Sequence, residues 1–476
     1  MERPHQLFTL DEIGARLAEA LSLSTADETE LAWVETAGDG VLARSLAEPE
    51  PGPGLGVGAG RTVVVRVREG RRCGSFRTGS AEPGEIAAGI RQAVAASRAL
   101  PGDAPPAAPP PPFSARTPEG PSAGRAQARP PEPLWDPEIA ALEPARARSL
   151  LAEATGAGEL ASLEWRRTRV VVLTGEGVDR RAEATAVTAR VAAGEERRGA
   201  GARALDPGAG RAAASARSLA GLGLHALVQR ARRRRSEPGR RPDPDQPGPV
   251  APPLPAGPLL FSQEAACALL SLLAGTALSA RGFDGDGSPL AGLLGEHVFS
   301  PAFDLVDDGL DPAGLPFPFD LQGRPKRRVV LIEAGVPRTP AVDDALSARL
   351  RLPPTHHVVG PDEARPEHLF LLPRDPEEAV FAATDGGAWI GELDGLACFD
   401  RSRLAVRARA VGVRRVEDGR LGEALPDLLW EDSLLRLFSS LRAVGGEPVR
   451  LAEPGFLGGV SAPLIAVEGA EELRPV

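Results

Sequence analysis

Histidine, cysteine and lysine, which often bind metals or act as bases and nucleophiles, are scarce in this chain of 476 residues: it has six His, three Cys and, as its single lysine, Lys326. Three of the histidines, His356, His357 and His368, form a local cluster of imidazoles, a ligand type that zinc favours. Adjacent residues of a strand point to opposite faces, so His356 and His357 rarely bind one ion. A metal site formed by these histidines and histidines without a metal-binding role both remain open interpretations, and the spacing favours the second.

Most familiar catalytic signatures are absent from the sequence. It contains no GxxxxGK[ST] phosphate loop and no HExxH zinc helix, and its GxSxG string at 120–124 lies in a proline-rich stretch rather than at a strand-to-helix turn. Residues 284–287 begin like a calcium-binding loop, but the twelfth position, where that loop needs Glu, is Gly295. We therefore interpret both 284–287 and the pair Asp307-Asp308 as surface turns.

The charge of the chain argues against a dedicated nucleic-acid binder. The formal net charge is −10 and the sequence pI is about 5.4, whereas such proteins usually show a basic footprint. Residues 232–235 are four consecutive arginines, which we interpret as a solvated helix end beside a linker. Among the possible partners, a nucleic acid is therefore the one that the sequence supports least.

Several features indicate a cytoplasmic protein without a membrane partner. The three cysteines are odd in number and lack CxxC spacing, which indicates reduced thiols. The N-terminus has no apolar segment of the signal-peptide type. The longest mostly apolar stretch, 265–280, is shorter than the roughly 20 residues that a bilayer-spanning helix needs.

Two proline-rich stretches, 101–133 and 236–258, divide the chain. Such weakly apolar segments behave as semi-extended spacers. They predict an N-terminal α/β module at 1–100, a central α+β module at 134–235, and a C-terminal domain at 259–476. The last is expected to be largely antiparallel and β-rich around a buried helix, so the predicted fold class is α+β.

Local patterns predict the elements of the first two modules. Thr9 and Glu12 form a capping box for a helix that begins at Leu10. The valine-rich residues 62–68 predict a strand that turns at Glu69-Gly70 into a returning strand. The other expected elements are helices at 85–98, 144–154 and 213–233 and strands at 168–173 and 182–193.

The C-terminal domain contains the most regular patterns. Residues 265–280 predict a helix that is apolar on every side and is therefore central to a core. Strands are expected at 297–300, 328–333 and 404–416, followed by a hairpin turn at 417–420. A stripe of Leu434, Leu437, Phe438 and Leu441 predicts a last helix that ends at Gly445-Gly446.

Read in order, this last domain resembles the C-terminal domain of the TldD/PmbA family, the modulator-of-gyrase metallopeptidases. The likeness covers about two hundred residues and depends on the order of its segments. The matching segments are 258–261 with the helix at 265–280, 293–298, 305–309, 318–323, 330–335, 416–420 and 442–445.

The resemblance also locates the family's zinc site. In the catalytic branch the buried helix carries HExxxH, and its two His positions fall here on Ser271 and Thr276, its Glu on Leu272. A later Cys ligand belongs near residues 455–463, which contain no cysteine. Hydroxyls are poor zinc ligands and leucine cannot act as a base. The resemblance thus implies the non-catalytic PmbA/TldE-like branch, with no cofactor in this chain and no catalytic residues.

In that branch the resemblance implies a heterodimer with a TldD-like peptidase subunit that carries the zinc. Peptides or unfolded proteins would be held in an enclosed cavity by strand-type backbone pairing. The segment that corresponds to the family's "fDdEG" retains Asp320 but has Leu321 and Gln322, and its "TGN"-like loop has Thr355 and His356. Asp320, Thr355 and His356 are therefore the candidate cavity residues.

Two alternatives remain open. One is an independent metal hydrolase that uses His356, His357 and His368 as a displaced site. The other is a binding or regulatory protein without a peptidase role, of which a nucleic-acid regulator would be one form. Metal content distinguishes the first from a pseudoenzyme, and salt-dependent DNA affinity would be required for a nucleic-acid regulator.

Overall fold

The structure is a computed structural model of the chain. It describes residues 8–43, 59–70, 72–99, 133–156, 159–194, 196–198, 203–205, 209–235, 257–284, 288–360, 363–453, 455 and 457–475. The two predicted linkers lie almost entirely outside the described residues, and so do residues 285–287 of the predicted turn at 284–287.

The N-terminal elements confirm the predicted helices and hairpin. They are α1 (Leu10–Ser22), β1 (Glu28–Ala43), β2 (Gly60–Glu69), β3 (Arg72–Thr78) and α2 (Pro83–Ala99). The capping box is present, since the Glu12 amide donates to the Thr9 hydroxyl and the Thr9 amide donates to the Glu12 carboxylate. The long strand β1 was not predicted, because Gly38, Asp39 and Gly40 within it are residues typical of turns.

The central elements are longer strands than the sequence predicted. They are α3 (Pro137–Ala140), α4 (Pro144–Ala154), β4 (Glu159–Thr174), β5 (Asp179–Ala193), β6 (Glu196–Arg198), β7 (Arg203–Leu205), β8 (Gly210–Ala216), α5 (Leu219–Leu222) and α6 (Leu224–Arg233). Helix α4 was predicted at these bounds, and β4 and β5 contain the predicted strands.

The predicted helix at 213–233 is wrong over its first part. Residues up to Ala216 pair with β5 as strand β8, and the chain becomes helical only after Ser218, whose hydroxyl accepts from the Gly221 amide. An alanine-rich segment suits a helix or a strand, and here close packing favours the strand. A side chain at Gly210 would lie 2.0 Å from the Ala231 carbonyl of α6, so the small residues let α6 lie directly on the sheet.

One antiparallel sheet, in the order β3-β2-β1-β4-β5-β8, joins the first two modules. Strands β1 and β4 pair along most of their length, with Trp33 opposite Val171. Helices α1 and α2 cover one end of this sheet and α3 to α6 the other, each over its own apolar cluster. The two modules on either side of the predicted 101–133 linker therefore share a sheet.

The C-terminal domain begins with a strand and the buried helix. Its first elements are β9 (Leu259–Phe261), α7 (Gln263–Leu273), a π-helical turn (Ala274–Leu278), α8 (Ala280–Asp284), β10 (Leu305–Asp307), β11 (Val329–Glu333), β12 (Val336–Pro337), α9 (Asp344–Leu350), β13 (Val358–Gly360), β14 (Glu363–Ala364) and β15 (His368–Leu371). The helix predicted at 265–280 is confirmed as far as Leu273 and then widens into the π turn.

The second half of this domain is mostly strands. Its elements are α10 (Glu377–Ala382), β16 (Ala388–Ile390), β17 (Glu392–Asp400), β18 (Ala405–Val411), β19 (Arg414–Glu417), β20 (Arg420–Ala424), β21 (Leu428–Ser433), α11 (Leu434–Ser439), β22 (Leu441–Ala452), β23 (Gly459–Val467) and β24 (Glu472–Pro475). The predicted hairpin turn between β19 and β20 is confirmed.

Three predictions for this domain need correction. Residues 297–300 form no strand, because the Val298 and Phe299 amides both donate to the single carbonyl of Gly335. The predicted strand at 404–416 divides at Gly412, which has a φ of 66°, so that β18 and β19 enter different sheets. The last helix ends before Leu441, where β22 begins, and Gly445 lies inside that strand.

A large mixed sheet and a four-stranded sheet surround α7. The large sheet runs β12-β11-β10-β15-β23-β9-β16-β19-β20, with β22 paired to β23, and the smaller one runs β17-β18-β21-β24. Most neighbours are antiparallel, while β15 pairs parallel with β23 and β9 pairs parallel with β16. Helix α7 packs against β17, β22 and β23 at the centre of the main apolar cluster. The α+β class and the buried helix are thus confirmed.

The C-terminal domain contacts the N-terminal sheet directly. Phe317, Phe319 and Leu321 pack onto apolar residues of that sheet, including Val170 and Val172. The segment predicted to resemble the family's acidic motif therefore lies at the contact between the two sheets.

The arginine run at 232–235 also contributes to this contact. Arg234 lies 3.0 Å from the Glu264 carboxylate of α7, and its side chain is only 13% exposed. Arg232 lies 2.6 Å from Glu159. The prediction of a purely solvated helix end is wrong for Arg234, because this side chain connects α6 to the buried helix.

Candidate functional site

Helix α7 and the π turn after it hold the positions that the resemblance assigns to the family's zinc site. Its start is fixed by Ser262, whose hydroxyl accepts from the Ala265 amide at 3.0 Å. Most of the helix is buried, but Ser271 and Leu272 are half-buried and Gly275 is exposed. One side of the C-terminal half of the helix is therefore the open side, and it carries two of the three assigned positions.

Ser271 is engaged by a carboxylate from the end of β22. Its hydroxyl lies beside the side chain of Glu453, which follows that strand. Burial raises the pKa of Glu453 above its usual value, although the Ser271 hydroxyl and the charges of Arg190 and Arg166 act in the opposite direction. A carboxylate thus lies beside the position of the first histidine of the HExxxH motif.

Thr276 lies in the π turn, and its hydroxyl forms a hydrogen bond within the helical segment. Its Oγ1 donates to the Leu272 carbonyl oxygen at 2.6 Å, one turn earlier. π turns are frequent at functional sites, where they redirect side chains. The side chain of Leu272 packs against the main apolar cluster. These residues do not fit zinc, because hydroxyls are poor zinc ligands, that of Thr276 already bonds to the Leu272 carbonyl, and Leu272 has no ligand or base atom.

Between β22 and β23, three arginines from different parts of the chain bind backbone carbonyls of what we call the closing segment, residues 453, 455 and 457–458. Arg166 donates to the Glu453 oxygen at 3.0 Å, Arg365 to that of Gly455 at 2.7 Å, and Arg217 to that of Leu457 at 2.7 Å. Arg166 and Arg217 belong to the central module, at β4 and after β8. Both therefore fix the closing segment of one domain to the sheet of the other.

Asp320 is buried and accepts hydrogen bonds from backbone amides of its own turn and of a neighbouring strand. Its Oδ1 accepts from the amides of Gln322 and Arg324, both at 3.0 Å, and its Oδ2 accepts from the Val358 amide at 3.3 Å. Arg324 in turn forms a buried ion pair with Asp344 at 2.9 Å. Asp320 thus shapes the loop that contacts the N-terminal sheet.

Thr355 and His356 lie on the neighbouring loop. The Thr355 hydroxyl accepts from the Val342 amide at 2.8 Å, and it is almost fully buried. His356 has a left-handed backbone (φ 63°), and its Nδ1 lies 2.8 Å from the Pro325 carbonyl. Burial lowers the pKa of His356. Asp320, Thr355 and His356 therefore bond to loop residues of this region, and their role as cavity residues stays a prediction.

The other two histidines of the cluster meet at a buried carboxylate that the sequence analysis placed in a surface turn. Asp307 is 0% exposed, which corrects that interpretation. Its Oδ1 lies 2.7 Å from His357 Nε2, and its Oδ2 accepts from the Glu367 and His368 amides at 2.7 and 2.8 Å. Burial alone would raise the pKa of Asp307, but the interaction with His357, followed by the charges of His368 and Lys326, holds it well below its usual range.

Lys326 completes this buried group, which we call the Asp307 cluster: Asp307, Lys326, His357 and His368. Lys326 is 2% exposed and His368 is 1% exposed. Burial and the positive charge of Lys326 lower the pKa of His368 well below its usual value. His356 points instead to Pro325, so the three histidines do not converge. In the described part of the chain, no group of three or more His, Cys, Asp or Glu side chains is arranged to hold a metal ion.

Sequence reasoning missed four residues of these two regions: Glu453, Arg166, Asp307 and Lys326. The bond between Arg166 and the Glu453 carbonyl joins residues 287 positions apart, which local patterns do not reveal. Lys326 did carry a signal, since it is the chain's single lysine.

Comparisons with known proteins agree on the fold. Residues 256–471 match the family model of the PmbA/TldA metallopeptidase C-terminal domain. No curated protein sequence matches the chain. Over the described residues, no helix is long and apolar enough to cross a membrane.

Three solved structures are similar over nearly the whole chain. A protein from Bacteroides thetaiotaomicron named as a modulator of DNA gyrase is 17% identical, with 98% of each chain covered and a TM-score of 0.67. A protein from Thermotoga maritima named in the same way is 18% identical, with 97% of this chain and 99% of that chain covered and a TM-score of 0.68. TldE from Thermococcus kodakarensis is 19% identical, with 97% and 100% covered and a TM-score of 0.66.

Proposed function

The C-terminal domain of this chain belongs to the PmbA/TldD family, and from that premise we propose that the chain is the non-catalytic, TldE-like subunit of a zinc peptidase. Its partner would be a family member that carries HExxxH on the corresponding helix and supplies all the zinc. The complex would act on peptides or unfolded proteins in the cytoplasm.

The side chains at the zinc positions are the observation that carries this proposal. Ser271 and Thr276 offer only hydroxyls, of which that of Thr276 donates to the Leu272 carbonyl, and Leu272 offers no polar atom. A zinc peptidase site needs imidazole, thiolate or carboxylate ligands and a base that can activate water. We therefore assign no catalytic step to this chain.

Two further observations support a subunit role. The similarity to TldE from Thermococcus kodakarensis extends over 97% of this chain, so the architecture is not confined to the matched C-terminal domain. In addition, no disulfide occurs among the described residues, which include Cys73, Cys267 and Cys398, and this suits a reducing compartment.

Co-expression tests the proposed partnership. The chain, tagged at one end, is expressed together with the HExxxH homologue from the same genome, and in parallel with a homologue whose two motif histidines are changed to alanine. Because the partner's histidines bind metal, we expect both forms to co-purify with the tagged chain, but only the intact one to bring zinc. Failure of both homologues to co-purify would overturn the subunit role and would favour a separate binding function.

A further inference from the structure

Lys326 is an unusual residue in this protein. It is the one lysine among 55 basic residues, it is 2% exposed, and its Nζ makes no hydrogen bond to the described residues. A buried charge normally has a hydrogen-bonding partner, because removal from water is costly. A compact ammonium suits a confined site that a planar guanidinium would not fit.

The neighbouring imidazoles also have free nitrogen atoms. Neither Nδ1 nor Nε2 of His368 makes a hydrogen bond to the described residues, and the same holds for Nδ1 of His357. His368 Nδ1 lies 3.9 Å from Asp307 Oδ1, which is too far for a hydrogen bond. The Asp307 cluster therefore contains several buried nitrogen atoms that make no hydrogen bond to the described residues; Lys326 Nζ is a donor, and the neutral His368 ring adds one donor and one acceptor.

Two glycines cover the Asp307 cluster closely. A Cβ atom built on Gly458 would lie 2.6 Å from His368 Nε2, and one built on Gly309 would lie 2.8 Å from Lys326 Cβ. Backbone thus covers both side chains at a distance that no other residue type allows. A ligand enclosed here must be small.

The charges around His368 favour an anion. Asp307 is already satisfied by His357 and two backbone amides, while Lys326 and Arg217 both place positive charge near His368. The nearby carboxylate of Glu367 lies 3.2 Å from Arg365 through Oε1, while its Oε2 makes no hydrogen bond to the described residues. Lys326 is the buried cation next to His368 whose ammonium makes no hydrogen bond to the described residues.

We propose that the Asp307 cluster binds a small singly charged anion, of the size of a halide or formate, between Lys326 Nζ and the His368 ring. The anion would supply the acceptor that these donors lack. It would connect the end of β10, the start of β15 and the closing segment at Gly458. This site is independent of the proposed peptidase partnership.

Bromide and formate are suitable probes of this site. The thermal unfolding midpoint (Tm) of the full chain is measured at increasing concentrations of sodium bromide or sodium formate. Sodium gluconate, whose anion is too large to enter, keeps the ionic strength constant. Binding to the folded state alone gives a saturable rise of Tm. We expect that rise for at least one of the two anions. In Lys326→Met the Kd of that anion should be about tenfold or more higher than in the unchanged protein.

Arg338→Gln is the matched control. Arg338 is a half-exposed arginine paired with Glu333 at 3.1 Å, so it differs from Lys326 both in side chain and in burial. It should retain the saturable rise. An equal rise in Lys326→Met, or none in the unchanged protein, would overturn the proposal.

A crystal of the unchanged protein grown in bromide provides an independent test that does not depend on how the variant folds. Anomalous scattering should show bromine within hydrogen-bonding distance of Lys326 Nζ. Ordered water alone at that position would show that the unused donors are merely hydrated, and would overturn the proposal.

Discussion

Helix α7 and the Asp307 cluster differ in how their polar atoms are satisfied. At the positions where the family resemblance places chemistry, the Thr276 hydroxyl donates to the Leu272 carbonyl and Ser271 lies beside the Glu453 carboxylate. In the Asp307 cluster, Lys326 and His368 are buried with nitrogen atoms that make no hydrogen bond to the described residues. The assigned zinc positions thus have polar neighbours within the protein, while buried nitrogen atoms without such partners lie elsewhere.

The largest expected effect is the recovery of metal binding on α7. In the double variant Ser271→His/Thr276→His, the two new imidazoles and Glu453 would form a His₂Glu set, one of the ligand sets of zinc peptidases. We expect about one zinc per chain after dialysis against zinc and then buffer, measured by elemental analysis. The unchanged chain should retain none.

The matched control adds Glu453→Gln to the double variant. An amide is a weaker zinc ligand than a carboxylate, so the zinc content should fall strongly. If the double variant bound no zinc, the assignment of Ser271 and Thr276 to the two histidine positions would be wrong.

The next effect concerns the stability of the Asp307 cluster. Asp307→Asn keeps the shape but replaces one carboxylate oxygen with an NH₂ group, which cannot accept from His357 or from the two amides, and removing one partner of a buried charged group costs about 3–5 kcal/mol. Urea unfolding should show a loss of that order. The control Asp427→Asn breaks a half-exposed pair with Arg409 and should cost about 1 kcal/mol or less.

The pH dependence of stability gives a smaller effect of known sign. Because the folded pKa of Asp307 is depressed, its carboxylate stabilises the fold above the ordinary pKa of about 3.9, and this contribution is lost as the pH falls below that value. Between about pH 4 and pH 2 the free energy of unfolding should fall more steeply in the unchanged protein than in Asp307→Asn, by up to about 1.4 kcal/mol per pH unit. Equal slopes would show that Asp307 has an ordinary pKa.

The smallest effect is expected at Thr276. Thr276→Val removes the bond to the Leu272 carbonyl and should cost about 1 kcal/mol of unfolding free energy. The peptidase activity of the complex with the HExxxH subunit should be unchanged, since the hydroxyl has only a local role. A large loss of that activity with normal stability would instead make Thr276 a functional residue.

Much of the fold could be predicted where one local pattern decides it. The capping box at Thr9, the strand at 62–68 and the apolar helix at 265–280 were identified in this way. The strand β8 and the loop at 297–300 were not, because their conformations depend on tertiary contacts. Alanines of β8 allow α6 to approach the sheet, and the amides of Val298 and Phe299 are taken by the Gly335 carbonyl.

The site was predictable only in part, for a related reason. Family resemblance located Ser271, Leu272 and Thr276, but their partners come from other elements. Glu453 follows a strand far along the chain, and Arg166 belongs to the central module. Asp307 was interpreted as a turn residue because two acids before a glycine usually lie at the surface.

The most direct test of the central claim combines metal content with activity. The purified chain alone, the HExxxH homologue alone and their mixture are assayed for bound zinc and for hydrolysis of an unfolded protein substrate. We expect no zinc and no hydrolysis for the chain alone, and hydrolysis by the mixture that exceeds that of the homologue alone. Stoichiometric zinc and hydrolysis by the chain alone would contradict the account.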